Sequence, residues 1–236
     1  MLAFSKPPIP KRGTVRKLRP SIPKEARRAI PYLVVCLVCM ERVCVHQSDA
    51  SGVFSEFLQF SEESDVLLLA PHGGAVEAGT DVQAELVGNN LCSDDVTLWG
   101  TRGVFDGNFN ETFSQFHTTS ETHPLSYFEY YLDEVVSQEY GVAVSFHATG
   151  RNGIVVGGNE DSVVLESLCD ELGECLGNEI VRVAGEGCMV GGQKPNNFVN
   201  YVDSDVSVHL EQNISVLLEN VEEISGVVSE WVEMQL

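Results

Sequence analysis

Three side chains of this 236-residue sequence, His72, Glu77 and His147, match by type the donor set expected of a catalytic zinc ion. Two imidazoles and one carboxylate occupy three tetrahedral positions and leave the fourth to a water, whose pKa the metal lowers toward about 7. His72 and Glu77 lie in Ala70-Pro71-His72-Gly73-Gly74-Ala75-Val76-Glu77, directly after the apolar run 66–70, and His147 follows a second apolar run, 141–146. Each run reads as a strand that delivers an imidazole to a loop. The Gly73-Gly74 pair permits a tight reversal, so His72 and Glu77 can face one ion. A third strand, 206–211, ends in Glu211. Period 2 puts Ser207, His209 and Glu211 on one face and Val206, Val208 and Leu210 on the other. Turned into a cleft, Glu211 would hold the water; turned outward, the same face would be a solvated edge strand.

The elements that must position these residues alternate in type. Residues 66–70 read as a fully buried strand, 76–87 as a loop and helix, 124–140 as a helix with one apolar face, and 142–147 as a strand. Residues 154–156 and 180–183 are strands, with a helix over 161–176 that Asp161 can cap. Residues 206–211 form the last strand, and 214–234 a terminal amphipathic helix. This pattern predicts an α/β three-layer sandwich around a mixed, mostly parallel sheet, with ligands gathering at one end of it.

Charge divides the chain. Ten of the fourteen Lys and Arg fall between Lys6 and Arg42, and residues 43–236 hold 33 acids against the four cations Arg102, Arg151, Arg182 and Lys194. The boundary is set at residue 45: a basic, signal-like or disordered extension over 1–45, and a single catalytic domain over 46–236. The first part has three readings: a twin-arginine-like export signal at Arg27-Arg28, a non-native extension, or a basic arm for a polyanion or membrane. Its apolar stretch, 29–40, is too short to span a bilayer. A body of net charge −29 cannot neutralise phosphates, which excludes nucleic acid as its partner. Acid density of this order suits a protein of a high-salt environment, where self-repulsion is screened. The sequence assigns no oligomeric state. Its seven cysteines lack framework spacing and read as reduced, Cys36-Leu37-Val38-Cys39 included.

The first segment, Leu68 through Thr80, resembles the first zinc segment of the poly-γ-glutamate hydrolases, a family that includes enzymes encoded by bacterial viruses. The likeness continues through Phe116-His117-Thr118-Thr119-Ser120 with Pro124, then Val144-Ser145-Phe146-His147, Val155-Val156-Gly157-Gly158 and Val208-His209-Leu210-Glu211. The resemblance implies a zinc carboxypeptidase-like fold, with His72, Glu77 and His147 as zinc ligands and Glu211 as the catalytic carboxylate. The substrate it implies is a polyanionic peptide polymer, cut at its γ-linked amides. In one place the sequence departs from the family pattern. An Arg soon after an Asn, ahead of the final strand, belongs to that pattern, whereas Tyr201 follows Asn200 here.

A developing oxyanion needs a cation, and with so few available Arg151 and Arg102 are the candidates, though either could equally be paired with a surface acid. His117 either lines the cleft or orients a ligand, or else caps a loop; His209 is read as a hydrogen-bond partner on Glu211's strand, His123 as turn chemistry and His46 as part of the extension. Tyr127, Phe128, Tyr130 and Tyr131 are read as helix core and rim. Two other functions fit the same residues: a zinc amidohydrolase of another acyl-amino acid or cell-wall peptide, and a metal-stabilised protein that binds a polymer without cutting it. Iron, cobalt or manganese can fill such a donor set, and zinc is preferred among them.

Overall fold

The computed structural model describes residues 42–236, apart from 50, 51, 92–95, 105–108, 118–130, 178–180, 186, 187 and 189. The expectations for residues 1–41, Cys92, His123 and the aromatic residues 127, 128 and 130 therefore lie outside the described residues.

Along the chain run β1 (Arg42–Asp49), β2 (Gly52–Gln59), β3 (Val66–Gly74), α1 (Thr80–Asn90), β4 (Val96–Val104), α2 (Phe109–Phe116), α3 (Leu132–Val135) and β5 (Glu139–Thr149). There follow β6 (Ile154–Gly158), α4 (Ser162–Leu176), β7 (Val181–Val183), α5 (Phe198–Tyr201), β8 (Asp203–Asn213), α6 (Ile214–Glu219) and α7 (Val221–Gln235). Among the described residues the strands form one sheet in the order β1-β2-β4-β3-β5-β8-β6-β7. Its centre, β4-β3-β5-β8, is parallel, while β1-β2, β2-β4 and β6-β8 pair antiparallel. This is the mixed α/β sheet expected from the alternation of elements.

Strands buried on both faces read as continuous apolar runs. In β3, Leu68 and Ala70 join the core on the face covered by α1, α4 and α7, with Val144, Phe146, Val208, Leu210, Leu168 and Trp231. Leu67 and Leu69 join the opposite core, with Trp99, Ala143, Leu132 and Val199. Helices cover both faces, so the fold has three layers. Burial of each such leucine contributes roughly 1.5–3 kcal/mol. No helix among the described residues is long and apolar enough to cross a membrane.

The structure moves several boundaries. Arg42–Val45, assigned to the extension on charge, instead pair with Leu58–Ser55 in the β1-β2 hairpin, and Arg42 binds Glu134 at 2.6 Å. In the described part of the 124–140 segment, helix is confined to α3. Glu139 and Tyr140 open β5 instead, because Tyr140 is buried, pairs with Ser204 and donates its hydroxyl to Val135 O at 3.1 Å. The terminal helix is two helices: the Asn220 side chain and backbone N–H both donate to Val216 O and close α6. Asp161 does precede α4, but its side chain caps no N–H there.

Candidate metal centre

Strand β3 places His72 by leaving its partner. It pairs with β5 from Val66 through the Leu69–Ser145 register and no further, while its pairing with β4 shifts between Ala70 and Gly73. The parting strands open a cleft beside β5 at their C-terminal ends, where ligands gather in such sheets. The reversal that follows depends on glycine. Gly74 has φ 73°, and a Cβ there would stand 2.6 Å from Gly103 O; one on Gly73 would stand 2.6 Å from the Asp81 Cβ. Ala75 N–H donates to Gly103 O and Glu77 N–H to His72 O, both at 2.7 Å, while Asp81 Oδ1 accepts from Gly74 N–H. Glu77 is thereby brought back over His72.

The second half of the site comes from register. β5 and β8 are parallel neighbours, with Ser145 opposite His209 and His147 opposite Glu211. All four alternate with the apolar residues Val144, Phe146, Val208 and Leu210, so they face the same side of the sheet. The polar face of β8 therefore looks into the cleft, and the solvated-edge alternative is excluded: β8 is a central strand and His209 and Glu211 are buried.

Here His72 Nδ1 lies 3.0 Å from Glu77 Oε1 and His147 Nδ1 lies 3.3 Å from Glu77 Oε2. The carboxylate also accepts from Ala148 N–H at 3.0 Å. Ser145 Oγ sits 2.9 Å from His147 Nε2, fixing the ring with Nδ1 toward Glu77. Burial pushes the Glu77 carboxyl up, but the imidazoles of His72, His147 and His117 outweigh it and hold the group well below the usual carboxylate range. Burial, aided by nearby His209, pushes His147 down to about 4. At neutral pH the result is an anionic carboxylate beside an unprotonated imidazole at His147, the protonation states a metal requires. All three donor atoms lie within 4.8 Å of one another. Two buried imidazoles flank the two oxygens of one carboxylate at 3.0 and 3.3 Å, a nitrogen and oxygen donor set that suits one divalent ion.

Glu211 borders this triad. Its carboxylate, His209 and His147 form a second group of donor atoms within 4.8 Å of one another. His209 Nε2 is 3.3 Å from Glu211 Oε2, and its ring stacks on that of His147 with centroids 4.3 Å apart.

The residues matched by the family described as poly-gamma-glutamate hydrolase run from 49 to 218, which takes in every donor described above. The chain belongs to that family. It is a family of hydrolases. Two solved structures share the fold with this family member. The structure of a bacteriophage poly-gamma-glutamate hydrolase is 17% identical to this chain, with TM-score 0.56, over 80% of this chain and 93% of its own. A zinc-free apo structure of YNDL is 20% identical, with TM-score 0.57, over 80% of this chain and 92% of its own. Comparison with curated proteins finds no match.

The other candidate residues separate clearly. His117, at the end of α2, reaches the site: its Nε2 is 3.6 Å from Glu77 Oε1, and its ring lies 4.5 Å from that of His72. Arg102 does not serve the cleft as a loose cation. It binds Asp81 at 2.5 Å and Glu85 of α1, with its guanidinium over the Phe57 ring. Arg151 is exposed on the turn after β5, its carbonyl held by Asn213 Nδ2 at 2.8 Å. His46 falls within β1. Ser145 joins this cluster through His147, although its residue type in the sequence points to no role. Its signal is its place two residues before His147 on a strand, hence on the same face.

Proposed function

We propose that this protein is a zinc-dependent hydrolase of the γ-linked amides of poly-γ-glutamate, with His72, Glu77 and His147 as zinc ligands and Glu211 as general base and acid. One observation carries the reading: Glu211 lies beside a buried His-Glu-His triad, in register with one of its ligands. Zinc, when bound, supplies a Lewis acid and a water of lowered pKa. Glu211 takes the proton of the attacking water and passes it to the departing amine. His209 holds the carboxylate from the side, and Ser145 keeps the His147 ring in its coordinating orientation. Among the cations weighed from the sequence, Arg151 is the one for the developing oxyanion, because Arg102 is engaged by two carboxylates.

A polyanionic substrate meets a body of net charge −29. In about 1 M salt the Debye length is roughly 3 Å, so long-range repulsion vanishes while contact-range zinc and Arg151 still act. A halophilic protein fits this requirement, and both stability and rate are expected to rise with salt.

The test is depolymerisation of poly-γ-glutamate in about 2 M salt with zinc, comparing the full chain with Glu211→Gln. Shortening of the polymer by the parent alone supports the reading. Zinc binding without shortening by either protein overturns the substrate. It then favours the second reading, an amidohydrolase of another acyl-amino acid or cell-wall peptide. That reading draws on Tyr201 standing where the family pattern has Arg.

A further inference from the structure

Gln83 and Gln212 are completely buried, yet both lie on the apolar α1 face of the sheet. Gln212 continues the side of β8 that carries Val208 and Leu210, and Gln83 stands one helical turn before Val87. The two carboxamides close a reciprocal pair: Gln83 Nε2 donates to Gln212 Oε1 at 3.0 Å, and Gln212 Nε2 donates to Gln83 Oε1 at 2.7 Å. Gln212 Nε2 also reaches His147 O at 3.4 Å.

Three chain segments meet at this pair, and each carries part of the site. Gln83 is in the first turn of α1, six residues after Glu77; Gln212 directly follows Glu211; the His147 carbonyl belongs to a ligand residue. A buried polar pair adds little net stability over well-packed apolar side chains, but it admits only one relative placement of the groups that bear it. Apolar residues would bury this position without fixing β8 along its length against α1.

We propose that the Gln83–Gln212 amide pair is a positioning device that sets the Glu211 carboxylate against the His72–Glu77–His147 triad. The proposal rests on the role given to Glu211 above. Both glutamines act through Glu211 and touch no substrate.

The experiment uses the full chain carrying Gln83→Leu with Gln212→Leu, which removes both amides and leaves neither orphaned. Its zinc affinity, measured by chelator competition, is expected within about threefold of the parent, a small change because the pair touches neither imidazole nor the Glu77 carboxylate. In zinc-bound crystal structures its Glu211 carboxylate is expected to move by about 1 Å. On poly-γ-glutamate its kcat should fall by about 10- to 100-fold with KM within about twofold. Gln83→Met alone, which keeps side-chain length, is the second arm, with the same displacement expected should the double variant fail to fold. A Glu211 at the parental position overturns the proposal, whatever the activity. Failure of the parent to cut the polymer overturns the substrate reading only, since the position of Glu211 is read without substrate.

Discussion

His147 and Glu211 occupy facing register positions on two long parallel strands, whereas His72 and Glu77 stand where β3 parts from the sheet and turns back on itself. The strand half needs no special backbone: alternation points both side chains into the cleft, and ladder hydrogen bonds hold them there. The loop half needs Gly74 in the left-handed region and an Asp81 carboxylate to hold its N–H. Rigid register suits the role proposed for Glu211, a base that must meet a water at fixed distance. A turn suits the role proposed for His72 and Glu77, a ligand pair that closes on an ion from two sides.

Removing a ligand from the loop half gives the largest effect expected. Glu77→Ala deletes the carboxylate that touches both His72 and His147, so the purified protein should hold no stoichiometric zinc and show no hydrolysis. Metal analysis after dialysis checks this, and a variant retaining one zinc per chain would remove Glu77 from the ligand set. Glu211→Gln, in the strand half, separates the functions: zinc stays, and kcat falls by about 10³-fold, the order expected for a general base. Parallel loss of metal would make Glu211 a ligand instead.

Acid should also act on the metal-free protein through His147. Its folded pKa, about 4, lies below its ordinary 6.5, so the unfolded chain takes up the proton first as pH falls. Stability is full above about 6.5 and falls by about 3 kcal/mol as pH drops through 4, with the lowered Glu77 carboxyl adding a loss of the same sign below its unfolded range. Denaturant midpoints of the metal-free protein across this window check it, and a flat profile would place the His147 ring in a solvated setting.

The two halves also differed in how far the sequence revealed them. The apolar runs before His72 and His147 marked both strand ends, and the alternation in 206–211 gave two faces. Which face was wet depended on β6 pairing beyond β8, a long-range contact that alternation does not encode. Strand β4, Val96–Val104, shows no legible strand period in the sequence because Gly100 and Gly103 interrupt its pattern. The structure explains both. A Cβ on Gly100 would stand 2.5 Å from the Phe57 ring, and one on Gly103 2.7 Å from Val76. Tertiary packing, not local preference, places glycine there. The scarcity of cations makes Arg102 a catalytic candidate from the sequence alone. The acids that take it, Asp81 and Glu85, are four residues apart on one helix, a spacing that in itself puts them on one face.

Ser145 tests the strand half on a finer scale. Its hydroxyl meets His147 Nε2 at 2.9 Å, so Ser145→Ala should weaken zinc binding by roughly 10- to 100-fold while leaving the fold and the metal stoichiometry at saturation intact. Chelator competition reads the change directly. An unchanged affinity would mean that packing, including the stacked His209 ring, orients His147 without the hydroxyl.

Arg102 and Arg151 make the smallest and most discriminating pair. Arg102→Ala leaves the Asp81 and Glu85 carboxylates together without their cation, and burial already pushes Glu85 upward. The guanidinium is partly exposed, which limits the expected loss to about 1–3 kcal/mol of stability. Because Asp81 also holds Gly74 N–H, some slackening of the His72 turn should appear as weaker zinc binding, with kcat at saturating metal within about threefold. Arg151→Ala should do the reverse, lowering kcat by about tenfold at unchanged stability, as loss of an exposed cation at a developing oxyanion requires. If the two results exchange places, Arg102 is the catalytic cation after all, and its carboxylate partners must release it when substrate binds.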